Sequence, residues 1–157
     1  MTKKKILAIL LVVLMTLSLF SCDLFSGSVD DSGSVTVVVE NTDGSYNVFE
    51  AELDAVANKD QGAKGILEHL KGSNDRFYLE MTESTYGAYV TAIGNIRENS
   101  SEGLYVMVYT SVSSDSYEGA PTADYKGTTL YQSGVGLSGM KVEAGTVILF
   151  KLEKSPY

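Results

Sequence analysis

Cysteine and histidine are almost absent from this chain of 157 residues, which contains one of each, Cys22 and His69. A single cysteine cannot form an internal disulfide or supply a cysteine-rich zinc site. No motif gathers an acid and a nucleophile around His69, so nothing in the sequence indicates a catalytic triad. A phosphate-binding loop, a nucleophile elbow, a zinc-protease helix and an EF-hand are also missing. We therefore expect no metal site, no resident cofactor and no enzymatic activity.

Basic residues are few. The chain has twelve Lys and Arg against twenty Asp and Glu, which gives a net charge of −8. Three of the basic residues are Lys3, Lys4 and Lys5, so the chain beyond them carries nine basic and twenty acidic residues, a net charge of −11. Such a surface repels nucleic acid at long range. We therefore predict no nucleic-acid partner.

Long apolar runs are limited to the amino terminus. Residues 6–20 carry no charge and follow the cationic head. About 15 residues are too few to span a hydrocarbon core that needs about 20, and the pattern is typical of a signal peptide. Its end, with Leu19, Ser21 and Cys22, resembles the bacterial lipobox. We predict cleavage before Cys22, acylation of that cysteine, and a lipid-anchored, extracytoplasmic protein of the cell envelope; the alternative is an uncleaved signal anchor.

The remaining chain is predicted to form one domain on a tether. Residues 1–21 are the predicted signal peptide, residues 22–34 are a Ser- and Gly-rich flexible tether, and residues 35–154 are the domain. The ten tyrosines, fifteen glycines and two prolines suit a β-rich domain.

Periodicity places the secondary structure. An apolar stripe of Ala63, Ile66, Leu67 and Leu70 predicts one amphipathic helix. Asp60 is its predicted N-cap and Gly72 the residue just after its end. β-Branched runs and period-two alternation predict strands, and Asp43-Gly44 predicts a hairpin turn. The helix is predicted at 61–71 and the strands at 35–39, 49–55, 77–82, 88–93, 104–112, 128–132 and 146–152, with 104–112 as a central strand covered on both faces.

Two polar or Gly-rich segments need interpretation. Residues 113–127 contain Pro121 and read as a long loop that is either functional or disordered. Residues 134–139 (GVGLSG) match the dinucleotide-binding fingerprint letter for letter. Only six residues separate this segment from the last predicted strand, which leaves no room for the helix that must hold a pyrophosphate. We interpret it as a glycine-rich turn.

Four stretches resemble the transcobalamin-like C-terminal domain family of bacterial surface proteins. Residues 63–70 (AKGILEHL) resemble its short helix, and residues 86–96 (YGAYVTAIGNI) resemble its Y-G-x-Y-I-x-S-I-x-G-I strand. Residues 103–109 (GLYVMVY) resemble its central strand, and residues 143–151 (EAGTVILFK) its closing strand. The chain departs from the family pattern in having no Trp before the central strand and a long segment in place of a tight Asn-Gly turn.

The resemblance implies an α+β fold, a β-grasp-like mixed sheet with one short helix packed on it. In eukaryotic cobalamin carriers the related domain covers one face of the corrinoid. Those contact residues do not map onto positions here, so cobalamin remains an analogy.

These observations favour a non-catalytic, lipid-anchored binding or adhesion module. The alternatives are a capture protein for a small corrinoid-like ligand and a structural envelope protein with a protein partner; the partner would be a small molecule, a glycan or a surface protein. Aromatic side chains on loops can stack on sugars or flat ligands. We therefore expect Tyr86 and Tyr89 at the hairpin, and Tyr117 and Tyr125 in the long loop, to face a ligand; the alternative is that Tyr89 only packs and Tyr117 is only loop.

Overall fold

The computed structural model describes residues 32–154. The predicted signal peptide, Cys22 and nearly all of the predicted tether lie outside these residues. Ser34, the last residue of the predicted tether, begins the first strand. Within the described range the chain forms nine strands and one α-helix, α1: β1 Ser34–Glu40, β2 Tyr46–Glu52, α1 Gly62–Ser73, β3 Leu79–Ser84, β4 Gly87–Ile93, β5 Ile96–Arg97, β6 Leu104–Thr110, β7 Thr122–Tyr125, β8 Thr128–Gln132 and β9 Val147–Lys154.

The strands form a mixed six-stranded sheet and a small three-stranded sheet. The larger sheet has the order β2-β1-β9-β6-β8-β7, and the smaller one the order β3-β4-β5. β1 and β9 are parallel, and every other pair is antiparallel. The predicted α+β class is confirmed. Within residues 32–154 the structure contains no helix with the length and apolar character needed to cross a membrane.

The first hairpin follows the predicted turn. Ser45 N–H donates to Asp43 Oδ1 at 3.0 Å, and Gly44 has φ +81°, a left-handed conformation that glycine adopts at low cost. The predicted strand at 49–55 is shifted, because β2 ends at Glu52. The chain turns there, and Ala55 N–H donates to the Glu52 carbonyl at 3.0 Å.

Helix α1 is where the stripe predicts it. Ala63, Ile66, Leu67 and Leu70 are all buried, which confirms the apolar face. Both predicted caps are wrong. Asp60 lies in a preceding 3₁₀ turn, Lys59–Gln61, so that Gln61 is the N-cap. Gly72 stays helical and Asn74 is the C-cap, with its N–H donating to the Leu70 carbonyl at 2.9 Å.

Two hydrophobic clusters lie on opposite faces of the large sheet. The larger one joins α1, the small sheet and residues such as Val37 and Phe150. The smaller one lies on the opposite face and consists of Val38, Tyr109, Tyr125, Leu130 and Leu149. Because side chains alternate along a strand, Val37 and Val38 enter different clusters.

The polar segment 113–127 is ordered rather than a structureless loop. It contains a 3₁₀ turn, Ser113–Asp115, and strand β7, which forms a hairpin with β8. The ring of Tyr125 in β7 meets the ring of Tyr46 in β2 edge-on, with centroids 5.2 Å apart. β7 and β2 are the two edge strands, so the sheet curls until its edges approach each other.

Strand β6 is less covered than predicted. Its first five residues are exposed or only partly buried, and only Tyr109 and Thr110 are buried. Its pairing with β8 is also short and reaches only Tyr109 and Thr110. The rest of that edge of β6 borders a groove.

Candidate functional site

The groove beside β6 is the candidate site, and we call it the β6 groove. Its volume is about 170 Å³, and it is open to solvent. It is bounded by β4, by β6, and by the end of β8 with the glycine-rich turn that follows. The lining residues carry no charge: Ala88, Tyr89, Val106, Met107, Val108, Gln132, Ser133, Val135, Gly136 and Leu137.

The β3–β4 hairpin brings one predicted tyrosine into this groove and a second one beside it. Tyr89 lines it with its side chain 43% exposed, while its strand neighbours Ala88 and Val90 are buried in the core. Tyr86 lies at the tip of the turn and is 90% exposed. The backbone of this turn lies directly against Gly136, where an added Cβ would be 2.3 Å from the Tyr86 carbonyl oxygen. The hairpin can approach this closely only because residue 136 is glycine.

Tyr117, in the segment 113–127, lies beside the groove and contacts one of its lining residues. Its hydroxyl donates to Gln132 Oε1 at 3.0 Å, and Gln132 lines the groove. Its ring lies against Gly134, where an added Cβ would be 3.1 Å from Cδ1. The glycine-rich turn therefore touches the Tyr86 hairpin on one side and Tyr117 on the other. As predicted, no α-helix follows this turn in the described chain; a 3₁₀ turn, Leu137–Gly139, follows instead.

Asp115 holds this arrangement together, although no sequence pattern distinguishes it from the polar residues around it. Its side chain is buried, and Oδ2 accepts the Lys141 N–H at 2.6 Å. Its carbonyl accepts the Gly134 N–H at 2.9 Å. Asp115 thus ties the 3₁₀ turn before Tyr117 to both ends of the glycine-rich segment.

The structure separates Tyr125 from the other three predicted tyrosines. Its side chain is 6% exposed and belongs to the smaller cluster. Its hydroxyl is buried without a hydrogen-bond partner among residues 32–154. Tyr125 therefore anchors the β7–β8 hairpin in the core and does not present its ring on the surface.

Charged groups lie away from the groove lining. One organised charged cluster is on the small sheet, where Arg97 pairs with Glu80 and its Nη2 donates to the Tyr78 hydroxyl at 2.7 Å. Hydrogen bonds from Arg97, and then from Tyr78, lower the pKa of Glu80 to about 2. The same partners raise the pKa of Arg97. This is an exposed ion pair, and none of the three side chains lines the groove.

Metal ligands and the single histidine bear on the chemistry that is available at the groove. No group of three or more His, Cys, Asp and Glu side chains that could hold a metal ion occurs within residues 32–154. His69 is half-buried on α1, away from the groove lining. Tyr, Gln and Ser side chains in the groove offer hydrogen bonds and an aromatic face to an uncharged ligand.

Comparison with known proteins gives the fold. No protein-family model matches the chain, and no curated protein sequence matches it. A solved structure of a candidate metal-binding protein from Ruminococcus gnavus ATCC 29149 is similar, with TM-score 0.54 and 18% identity, over 79% of this chain and 99% of that one. Haptocorrin, solved in complex with Cbi, is similar with TM-score 0.52 and 15% identity over 78% of this chain.

The fold is transcobalamin-like. This agrees with the resemblance carried by the four sequence stretches. The chain spans 25% of the haptocorrin chain, so it corresponds to one part of that protein. At these identities the similarity concerns the fold alone.

Proposed function

We propose that this protein is a non-catalytic binding module of the cell envelope, and that the β6 groove is its binding face. The observation that carries the proposal is that Tyr89 lines an uncharged groove whose lining residues Gly136 and Gln132 contact Tyr86 and Tyr117. A rigid aromatic ring with a polar tip is suited to stacking on sugars or flat ligands. The lining contains no carboxylate, imidazole, thiol or amine that could act as a general acid, a general base or an activated nucleophile.

Attachment to the envelope is proposed through acylation of Cys22. The support is the sequence pattern, with a short apolar run that ends in the only cysteine of the chain. Two or more acyl chains give stable anchoring. Cys22→Ser should leave an unprocessed precursor without incorporated fatty acid, whereas the nearby control Ser26→Ala should mature normally. Normal maturation of Cys22→Ser, with unchanged membrane association, would contradict this part of the proposal.

The binding face can be tested with matched tyrosine variants. The full chain, purified in detergent, would be screened against a glycan array as wild type, Tyr89→Ala and Tyr105→Ala. Tyr105 is a suitable control because it is similarly exposed, at 37% against 43%, but does not line the groove. We expect loss of binding in Tyr89→Ala alone. Equal binding by all three proteins would place the binding face elsewhere.

A corrinoid is the second candidate ligand. The observation that favours it is the fold shared with haptocorrin, which was solved with Cbi. Adding dicyanocobinamide to the purified chain should then shift the corrinoid absorbance and raise Tm. An unchanged spectrum and Tm at millimolar ligand would remove this candidate and leave the glycan candidate standing.

A further inference from the structure

The edge of β6 in the groove has a gap in its backbone hydrogen bonding. Ser111 N–H donates to the Val147 carbonyl at 3.0 Å, and the antiparallel register continues from there along β6 and β9. Residues with odd numbers in β6 therefore direct their N–H and C=O groups to β9. Residues with even numbers direct theirs to the opposite edge, because backbone groups alternate along a strand.

Val106 is the even-numbered residue without a partner strand on that edge. On one side of it, Leu104 exchanges two hydrogen bonds with Asn99, at 2.8 and 3.0 Å. On the other side, the Val108 carbonyl accepts the Ser133 N–H at 2.9 Å. Within residues 32–154 no strand pairs with Val106 there, and Val106 lines the groove. Val106 is only partly buried and the groove is open to solvent, so a ligand with a matching polar group would replace water at this edge.

The gap exists because β8 leaves β6 early. If β8 continued in register past Ser133, it would pass beside Val106. Instead the chain turns away at Gly134, whose N–H donates to the Asp115 carbonyl. The β6 groove thus occupies the place of a missing piece of strand.

We propose that this gap binds an uncharged amide group of the ligand, such as an acetamido group, whose carbonyl oxygen accepts the Val106 N–H. The proposal rests on the proposed function and names the chemical group of the ligand that the binding face recognises. An amide carbonyl is the same kind of acceptor as the peptide carbonyl that a paired strand would offer there. Tyr89 supplies an aromatic face in the same groove, and no charged side chain lines it to select an ionic ligand.

The dimensions favour a small group over an extended peptide. Ser133 and Asn99 close the edge at Val108 and Leu104, which are about 13 Å apart at ~3.3 Å per residue. The groove volume of about 170 Å³ corresponds to roughly six water molecules. An acetamido group fits in such a space, whereas a continuous strand would collide with both ends. N-acetylated sugars and corrinoids with amide side chains are the two sources of this chemistry.

The test is backbone NMR on the full chain, labelled with ¹⁵N and purified in detergent micelles. The probes are triacetylchitotriose, its acetamido-free counterpart cellotriose, and dicyanocobinamide. We expect the Val106 N–H resonance to shift with an acetamido or amide probe, and the affinity for triacetylchitotriose or cobinamide to exceed that for cellotriose by about tenfold or more. Tyr89→Ala should weaken this binding, and Tyr105→Ala should not.

The results distinguish an N-acetylated glycan from a corrinoid, and they test amide recognition separately from the proposed binding face. Binding of triacetylchitotriose with a Val106 shift supports an N-acetylated glycan, and the same result with cobinamide alone supports a corrinoid. Equal binding of cellotriose and triacetylchitotriose, or tight binding with an unmoved Val106 N–H, overturns amide recognition while the proposed binding face survives. Absence of binding by both amide probes overturns amide recognition, and the glycan array then decides the proposed function independently.

Discussion

Removing the buried carboxylate of Asp115 should destabilise the protein more than removing an exposed one. The Asp115 side chain is 4% exposed and accepts the Lys141 N–H at 2.6 Å. A hydrogen bond to a charged group contributes about 1.5–3 kcal/mol. We therefore expect Asp115→Ala to lower the free energy of unfolding by about 2 kcal/mol. In a domain of this size that corresponds to a fall in Tm of about 8 °C.

Asp124→Ala is the matched control. Asp124 also accepts one backbone N–H, from Gly127 at 3.1 Å, but it is exposed in the β7–β8 turn. Exposed substitutions of this kind change stability by about 0.5 kcal/mol or less. Asp115→Asn keeps an acceptor oxygen without the charge and should fall between the two. Urea unfolding monitored by tyrosine fluorescence measures all three variants.

Two results would refute this reasoning. Equal losses in Asp115→Ala and Asp124→Ala would mean that burial of the carboxylate does not matter. A destabilised Asp115→Ala with unchanged NMR shifts at Gly134 and Tyr117 would mean that Asp115 does not position the groove. The account predicts that both residues move, because loss of the Lys141 bond releases the turn whose carbonyl binds Gly134 and which precedes Tyr117 by two residues.

Three further predictions concern a glycine, an ion pair and a buried hydroxyl. Gly136→Ala should destabilise the protein by about 1–3 kcal/mol in the same unfolding assay, because the added Cβ would meet the Tyr86 carbonyl. Gly72→Ala in α1 is the control: an added Cβ there has no atom within 4 Å, so this variant should be more stable by about 0.5–1 kcal/mol. In a carboxyl ¹³C titration Glu80 should titrate near pH 2, and in Arg97→Met its pKa should rise towards the ordinary value of 4.5 while the Tyr78 hydroxyl still lowers it. Since this pKa is lowered by folding, the contribution of Glu80 to stability is present above about pH 4.5 and is lost as the pH falls towards 2; coincident titration in both proteins would contradict the pairing. Tyr125→Phe should leave Tm unchanged or raise it slightly because the hydroxyl is buried without a partner, and a fall of several degrees would show that a partner exists.

Sequence periodicity predicted the helix and strands whose burial pattern is set by their own residues. The stripe of α1 and the β-branched run of β1 were placed correctly because burial follows their periodicity. Strand β8 matches its prediction at both ends. The cap at Asp60 was wrong because the preceding residues already form a 3₁₀ turn, a feature with no clear sequence signature.

The β6 groove depends on tertiary contacts between distant segments, which the spacing of residues in the sequence does not predict. The sequence predicts Tyr86, Tyr89 and Tyr117 as candidates. The approach of Tyr117 and of the Tyr86 turn to the groove depends on Gly134 and Gly136, which the sequence pattern indicates only as turn residues. Tyr125 shares the polar segment with Tyr117, yet it is buried because β7 folds towards Tyr46 at the far edge of the sheet. The gap at Val106 follows from the point at which β8 departs, which is a property of tertiary pairing.

Amide hydrogen exchange along β6 tests the central claim most directly, because the β6 groove depends on an unpaired edge at Val106. In the ligand-free full chain, the account predicts fast exchange for the Val106 N–H and slow exchange for its neighbours Tyr105 and Met107, whose N–H groups face β9. Protection of Val106 equal to that of Met107 would show that the edge is already paired and would contradict the account.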